Sequence, residues 1–176
     1  MWARLQLVLV LALAVAGCDR IGLNPNKTRA GLRLPGESID TPVRDWSFSE
    51  SISQVQLETK AWWGWHSVTV WCVTVDGRLF IATDYRPRPK RWVANLDADP
   101  NARIGLAGKL YRVRASRVSD PALWDRVTSR YFEKYARDFA EYGDELDFPK
   151  PGEPRAGDVF ELVSAGAPSA GLPRDP

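Results

Sequence analysis

Two cysteines and one histidine are all that 176 residues hold of the soft metal ligands, and that scarcity excludes a Cys-rich zinc module, a disulfide framework and a multi-histidine metal centre. An excess of charge of one sign is missing too. Lys plus Arg is 24 against 22 Asp plus Glu, a net +2, so the electrostatic footprint of a nucleic-acid binder is lacking and no nucleic-acid partner is expected. There is no Gly-x-Ser-x-Gly, which disfavours a hydrolase built on a nucleophile elbow. Gly105-Leu106-Ala107-Gly108-Lys109 lacks the spacing and the following Ser/Thr of a phosphate-binding loop. What remains is ordinary: 44% hydrophobic, 26% charged and 11% aromatic residues, the composition of one compact domain.

The longest apolar run, Leu5 to Gly17, follows a short positive start at Arg4 and is interrupted only by Gln6. It falls short of the roughly 20 residues that cross a bilayer and matches the hydrophobic core of a secretory signal. It ends in Val15-Ala16-Gly17-Cys18, which resembles the lipobox of bacterial lipoproteins. The resemblance implies cleavage after residue 17, a diacylglyceryl thioether on Cys18, and a protein held in the cell envelope by its acyl chains, facing the periplasm or another extracytoplasmic side. Two or three chains hold a protein firmly where one gives only marginal binding. Asp19 resembles the inner-membrane retention signal of enteric bacteria. The reading divides the chain into a signal peptide (1–17), a lipidated N-terminus and flexible spacer (18–45), a folded domain (46–164) and a disordered tail (165–176).

Within the domain, Ile52 to Thr59 reads as a strand. Ser67 to Val75 is a better one, with Val68, Val70 and Cys72 on one face and Trp71, Val73 and Val75 on the other, so both faces are expected to be buried. Asp76-Gly77 suits a two-residue turn and returns the chain as Arg78 to Thr83. A second hairpin joins Ala102–Leu106 to Leu110–Val118 through Ala107-Gly108. Between the hairpins Lys90 to Asp97 forms a short helix. Ser119-Asp120-Pro121 caps a helix reaching about Glu141, whose stripe Trp124, Val127, Tyr131, Tyr135 and Phe139 is laid on the sheet, and Asp158 to Ser164 closes as a last strand.

The stretch Leu79-Phe80-Ile81-Ala82-Thr83-Asp84-Tyr85, then Lys90 to Pro100 with Asn95-x-x-x-x-Pro100, then Ala102 to Leu106, resembles the pyridoxamine-phosphate-oxidase-like and deazaflavin-dependent nitroreductase-like flavoproteins. The resemblance implies an α+β fold: a split β-barrel of about six strands with one short helix and one long amphipathic helix. It also implies a dimer whose two subunits wall the ligand site, and FMN or a deazaflavin as cofactor. Carried onto matching positions, Thr83 offers a hydroxyl and Lys90 or Arg91 a cation to the flavin phosphate, with Arg86 and Arg88 close by. The chain departs from both patterns. Trp65-His66-Ser67 stands where the oxidases open a strand with arginine, and the Arg-x-Ser-Gly of the deazaflavin enzymes is missing. The basic segment Arg86 to Arg91 therefore reads first as a solvated loop, or one facing anionic headgroups, ahead of a phosphate cradle.

Trp62-Trp63-Gly64-Trp65-His66 puts three indoles in five residues. Capping the barrel end is the first reading; stacking on a planar ligand and resting at a bilayer interface are the others. His66, the sole histidine, reads first as a structural residue, and Cys72 as a buried apolar thiol. No catalytic residue or metal site is assigned. The expectation is a membrane-tethered, non-catalytic split barrel that binds a ligand or partner; the alternative is a flavin- or deazaflavin-dependent oxidoreductase.

Overall fold

The computed structural model describes residues 33–83, 90–142, 148 and 158–166. The proposed signal peptide, Cys18, Arg86 and Arg88 lie outside the described residues, as does the tail beyond Gly166. The described elements are β1 (Glu37–Ile39), a 3-10 turn (Ser47–Ser49), β2 (Gln54–Ala61), β3 (Gly64–Val75), β4 (Arg78–Ala82), α1 (Arg91–Ala98), β5 (Asn101–Leu106), β6 (Lys109–Arg117), α2 (Pro121–Lys134), α3 (Ala136–Tyr142) and β7 (Val159–Ser164).

Antiparallel ladders run β6-β5-β2-β3-β4-β7, and β7 pairs back onto β6 from Val113↔Ser164 to Arg117↔Phe160, which closes a six-stranded barrel. The chain is thus an α+β split barrel. Where β6 leaves β7, its first residues are taken up by β1, which pairs in parallel from Glu37↔Lys109 to Ile39↔Tyr111. This seventh strand, at residues 37–39, was not expected from the sequence. Leu34 is buried and its N–H donates to the Glu58 carboxylate at 2.5 Å. The segment's own sequence is too short and polar to announce a strand; the unfilled edge of β6 makes it one.

Alternation along the strands builds two cores, as the pattern of β3 foretold. Inward residues Val55, Leu57, Cys72, Leu79, Ile81, Ile104, Val113, Phe160 and Leu162 fill the barrel. Outward residues Val73, Phe80 and Val159 form a second core with Leu123, Trp124, Val127 and Tyr131 of α2. Each barrel end has its own plug. Trp92 and Leu96 of α1 close the end where β2 turns into β3, and Trp46, packed edge-on against Tyr111 at 5.4 Å, lies at the other, its backbone N–H donated to the Gly77 carbonyl.

The two hairpins turn at the expected residues. Asp76 and Gly77 have φ of 52° and 71°, Ala107 and Gly108 of 50° and 78°. Alanine is strained there, so Ala107→Asn is expected to raise stability by about 0.5–1 kcal/mol in chemical denaturation.

Asp120 caps α2, its carboxylate accepting the N–H groups of Ala122 and Leu123. The long helix expected to about Glu141 is interrupted at Tyr135 (φ −109°, ψ 23°). Two side chains at that point are tied to the sheet: Lys134 donates to the carbonyls of Ile52 and Cys72, and the Tyr135 hydroxyl bonds Ser53 and Cys72 while its ring stacks on Trp71 at 4.3 Å. Anchoring both turns the chain away from straight helical continuation.

Candidate functional site: a cleft at the split of the barrel

β3 and β4 pair only from Val75↔Arg78 to Cys72↔Ile81. Beyond that point β3 stays with β2 while β4 goes on with β7, and the two strands part. A cleft of about 230 Å³ occupies the gap, lined by Thr69, Val70, Trp71, Ala82, Thr83, Lys90, Trp92 and Phe148. Tyr131 reaches to the same region from below, its hydroxyl lying 2.9 Å from the carbonyl of Trp71 and 3.3 Å from that of Phe80, one on each strand. Burial holds that phenol well above its usual pKa.

Of the residues singled out in sequence, Thr83 and Lys90 meet in this cleft. Thr83 closes β4; it is buried, its hydroxyl accepts the N–H of Asp158 at 2.8 Å, and its own N–H donates to the Asp158 carbonyl. Among the described residues the hydroxyl proton has no acceptor and can donate into the cleft. Lys90 is the N-cap residue of α1, in extended conformation and without a side-chain cap, so the first turn of the helix opens at the cleft. A hydroxyl donor, an ammonium group and a helix start suit an anionic group, and Trp71, Trp92 and Phe148 suit an apolar ring beside it. Arg91, one residue on, is exposed and acts on His66.

The tryptophan cluster does not cap the barrel. Trp62 is 97% exposed and Trp63 50% exposed, standing on the two-residue tip of the β2–β3 hairpin. The end that they were expected to plug is filled by Trp92 and Leu96 from α1, which leaves no room inside for indoles carried on a tip. Trp65 is on the outer face, with the guanidinium groups of Arg33 and Arg103 5.5 and 5.7 Å from its ring. His66 lies at the barrel mouth, edge-on to Trp63 at 6.2 Å, and its Nδ1 is buried without a partner among the described residues.

Burial first, and then the charge of Arg91, lower the pKa of His66. A histidine that resists protonation when folded binds fewer protons than in the unfolded chain, so stability falls as the pH drops through the ordinary 6.5. Denaturation curves of His66→Gln are expected to show a shallower loss over that window than those of the wild-type protein. Cys72 is buried, donates to the Ile52 carbonyl at 3.3 Å, and is pushed up to about 11 by burial, as a structural thiol should be.

Sequence reasoning missed the cleft's aromatic walls. Trp71 was read as one face of the sheet and Trp92 lay within the expected helix Lys90 to Asp97, and nothing in the local pattern told that the β3–β4 ladder stops at Cys72↔Ile81. It also missed the buried pair Glu58–Arg103, whose members face one another across β2 and β5.

The profile of the DUF2255 family, uncharacterized proteins conserved in bacteria, matches residues 54–147, just over half of the chain and from β2 past the end of α3. The chain belongs to the DUF2255 family. No curated protein matches this DUF2255 member. Among solved structures it is similar to HutZ, the heme storage protein of Vibrio cholerae, with 19% identity over 69% of this chain and 87% of that one at a TM-score of 0.49. It is also similar to an F420-H2 dependent reductase, FDR-A, with 18% identity over 63% and 94% of the two chains at a TM-score of 0.48. An FAD-binding protein of Mesorhizobium loti overlaps at 11% identity, over 65% and 83% of the chains, at a TM-score of 0.42. These are likenesses of chain path; the fold assignment of the DUF2255 member rests on its own closed ladder.

Proposed function

We propose that this protein is a lipid-anchored envelope protein whose split barrel binds, without catalysis, a small ligand carrying an aromatic ring and an anionic group. The observation that carries the reading is the meeting of Thr83 and Lys90 with Trp71, Trp92 and Phe148 where β3 and β4 part. Cys18 supplies the anchor, on the strength of the Val15-Ala16-Gly17-Cys18 motif behind its apolar run.

A flavin is the second reading, favoured by the same hydroxyl and ammonium, which suit its phosphate. The cleft fits it only in part. At about 230 Å³ it is smaller than the roughly 300–1,000 Å³ of pockets that enclose a drug-sized ligand, and a tricyclic ring would need a further wall, such as a second copy of the chain.

The protein extracted from membranes tests both parts. Its intact mass is expected to show loss of residues 1–17 and gain of acyl chains, and its visible spectrum to lack flavin absorption. An unacylated chain beginning at Met1 contradicts the anchor. A stoichiometric flavin band contradicts the non-catalytic reading in favour of the oxidoreductase.

A further inference from the structure

We propose that the tip of the β2–β3 hairpin is a second membrane contact, with Trp62 and Trp63 seated among the headgroups of an anionic bilayer. The inference rests on the anchor at Cys18 for which surface is met. Single exposed apolar residues are common on proteins, but this tip carries two adjacent indoles, one of them 97% exposed. Turn chemistry does not ask for them. The other two-residue turns use Asp76-Gly77 and Ala107-Gly108, whereas Trp62 and Trp63 lie between the last pair Ala61↔Gly64 with neither at positive φ. Packing does not ask for them either, since the barrel end is closed by Trp92 and Leu96.

Two further observations choose the occupant. Indoles favour the polar–apolar boundary of a bilayer, and the tip is set among cations: Lys60 beside it in β2, Arg91 near enough to act on the charge of His66, and Arg33 over the ring of Trp65, each exposed. Asp99, the carboxylate that acts with Lys60, is engaged by the backbone and side chain of Asn101. The described part of the chain also begins at this end, with Arg33. Arg33 stacks on Trp65, whose cross-strand partner is Lys60, one residue from the last pair of the hairpin. Cys18 is fifteen residues before it, a reach of at most about 50 Å when fully extended. The lipid and the indoles therefore address one surface, and a tip that binds it fixes the orientation of a barrel that the tether alone leaves free.

The test uses the full chain reconstituted in phosphatidylethanolamine–phosphatidylglycerol vesicles with acyl chains brominated near the headgroup, comparing wild type with the double variant W62S/W63S. The wild type is expected to lose about a quarter of its tryptophan emission to the bromines, two indoles among the seven of the processed chain, and the double variant to lose almost none. Its denaturation midpoint should stay close to the wild type, since Trp62 is almost wholly exposed and Trp63 is half exposed, its ring meeting the edge of His66. Equal quenching in the two proteins overturns the proposal. So does concentration-dependent self-association that disappears in W62S/W63S without any lipid quenching, because a second copy then covers the tip. If intact mass shows Cys18 unacylated, the anchor fails while the quenching difference still decides the hairpin.

Discussion

Replacing Glu58 by alanine is expected to destabilise the protein by about 3–5 kcal/mol, read as a lowered midpoint in urea or guanidinium unfolding. Glu58 has no exposed surface. Both its oxygens are engaged, by Arg103 Nε at 2.7 Å and Nη2 at 2.9 Å, and the carboxylate also takes the N–H of Leu34. Truncation leaves the Arg103 guanidinium largely buried with its charge unmatched and removes the acceptor that holds the N-terminal strap on the barrel. The Arg103 side chain is only 17% exposed, so water cannot replace the lost partner fully. The cost comes from stranding one partner rather than from the worth of the pair. Replacing both, as in E58L/R103M, should therefore recover most of the loss. A cost below about 1 kcal/mol for Glu58→Ala would show that the strap and the pair are not held as described.

Tyr131→Ala is the second large effect, at about 3–5 kcal/mol, the range of a large aromatic removed from a packed core. The ring is fully buried between α2 and the sheet, against Tyr135 and Phe148. Its hydroxyl serves the carbonyls of Trp71, which lines the cleft, and of Phe80 in β4. Tyr131→Phe separates the two contributions. It keeps the ring and is expected to cost about 1–1.5 kcal/mol, with weaker ligand binding because the carbonyl of Trp71, at the cleft wall, loses its donor. The pH dependence has a definite sign. A phenol whose pKa is raised on folding keeps its proton longer than in the unfolded chain, so its contribution is intact below the ordinary value of 10 and is lost as the pH rises beyond it. Alkaline unfolding that is less steep in Tyr131→Phe would express this.

The strands were legible because period-two alternation and turn chemistry are local. Val68, Val70 and Cys72 against Trp71, Val73 and Val75 announced a strand buried on both faces, and Asp76-Gly77 announced its turn. The α2 stripe was legible for the same reason. Three features were not. β1 exists because β6 has an edge to fill, a property of another part of the chain. The helix break at Tyr135 depends on carbonyls of β2 and β3 that its own sequence does not display. The placement of Trp62 and Trp63 was misread because large indoles favour burial on average, while the true plug, Trp92, arrives from a helix thirty residues later. Thr83 and Lys90 line one cleft because the end of β4 and the start of α1 border the same gap in the sheet. The aromatic walls needed the point at which the β3–β4 ladder stops, and only the assembled sheet defines it.

Backbone and indole chemical shifts during titration with phenyl phosphate test the ligand cleft most directly. Saturable changes are expected at Thr83, Lys90, Trp71 and Trp92, and are expected to be lost in Lys90→Met while the fold of that variant is retained. Shifts scattered over the surface, or a response at those residues that Lys90→Met leaves unchanged, would contradict it.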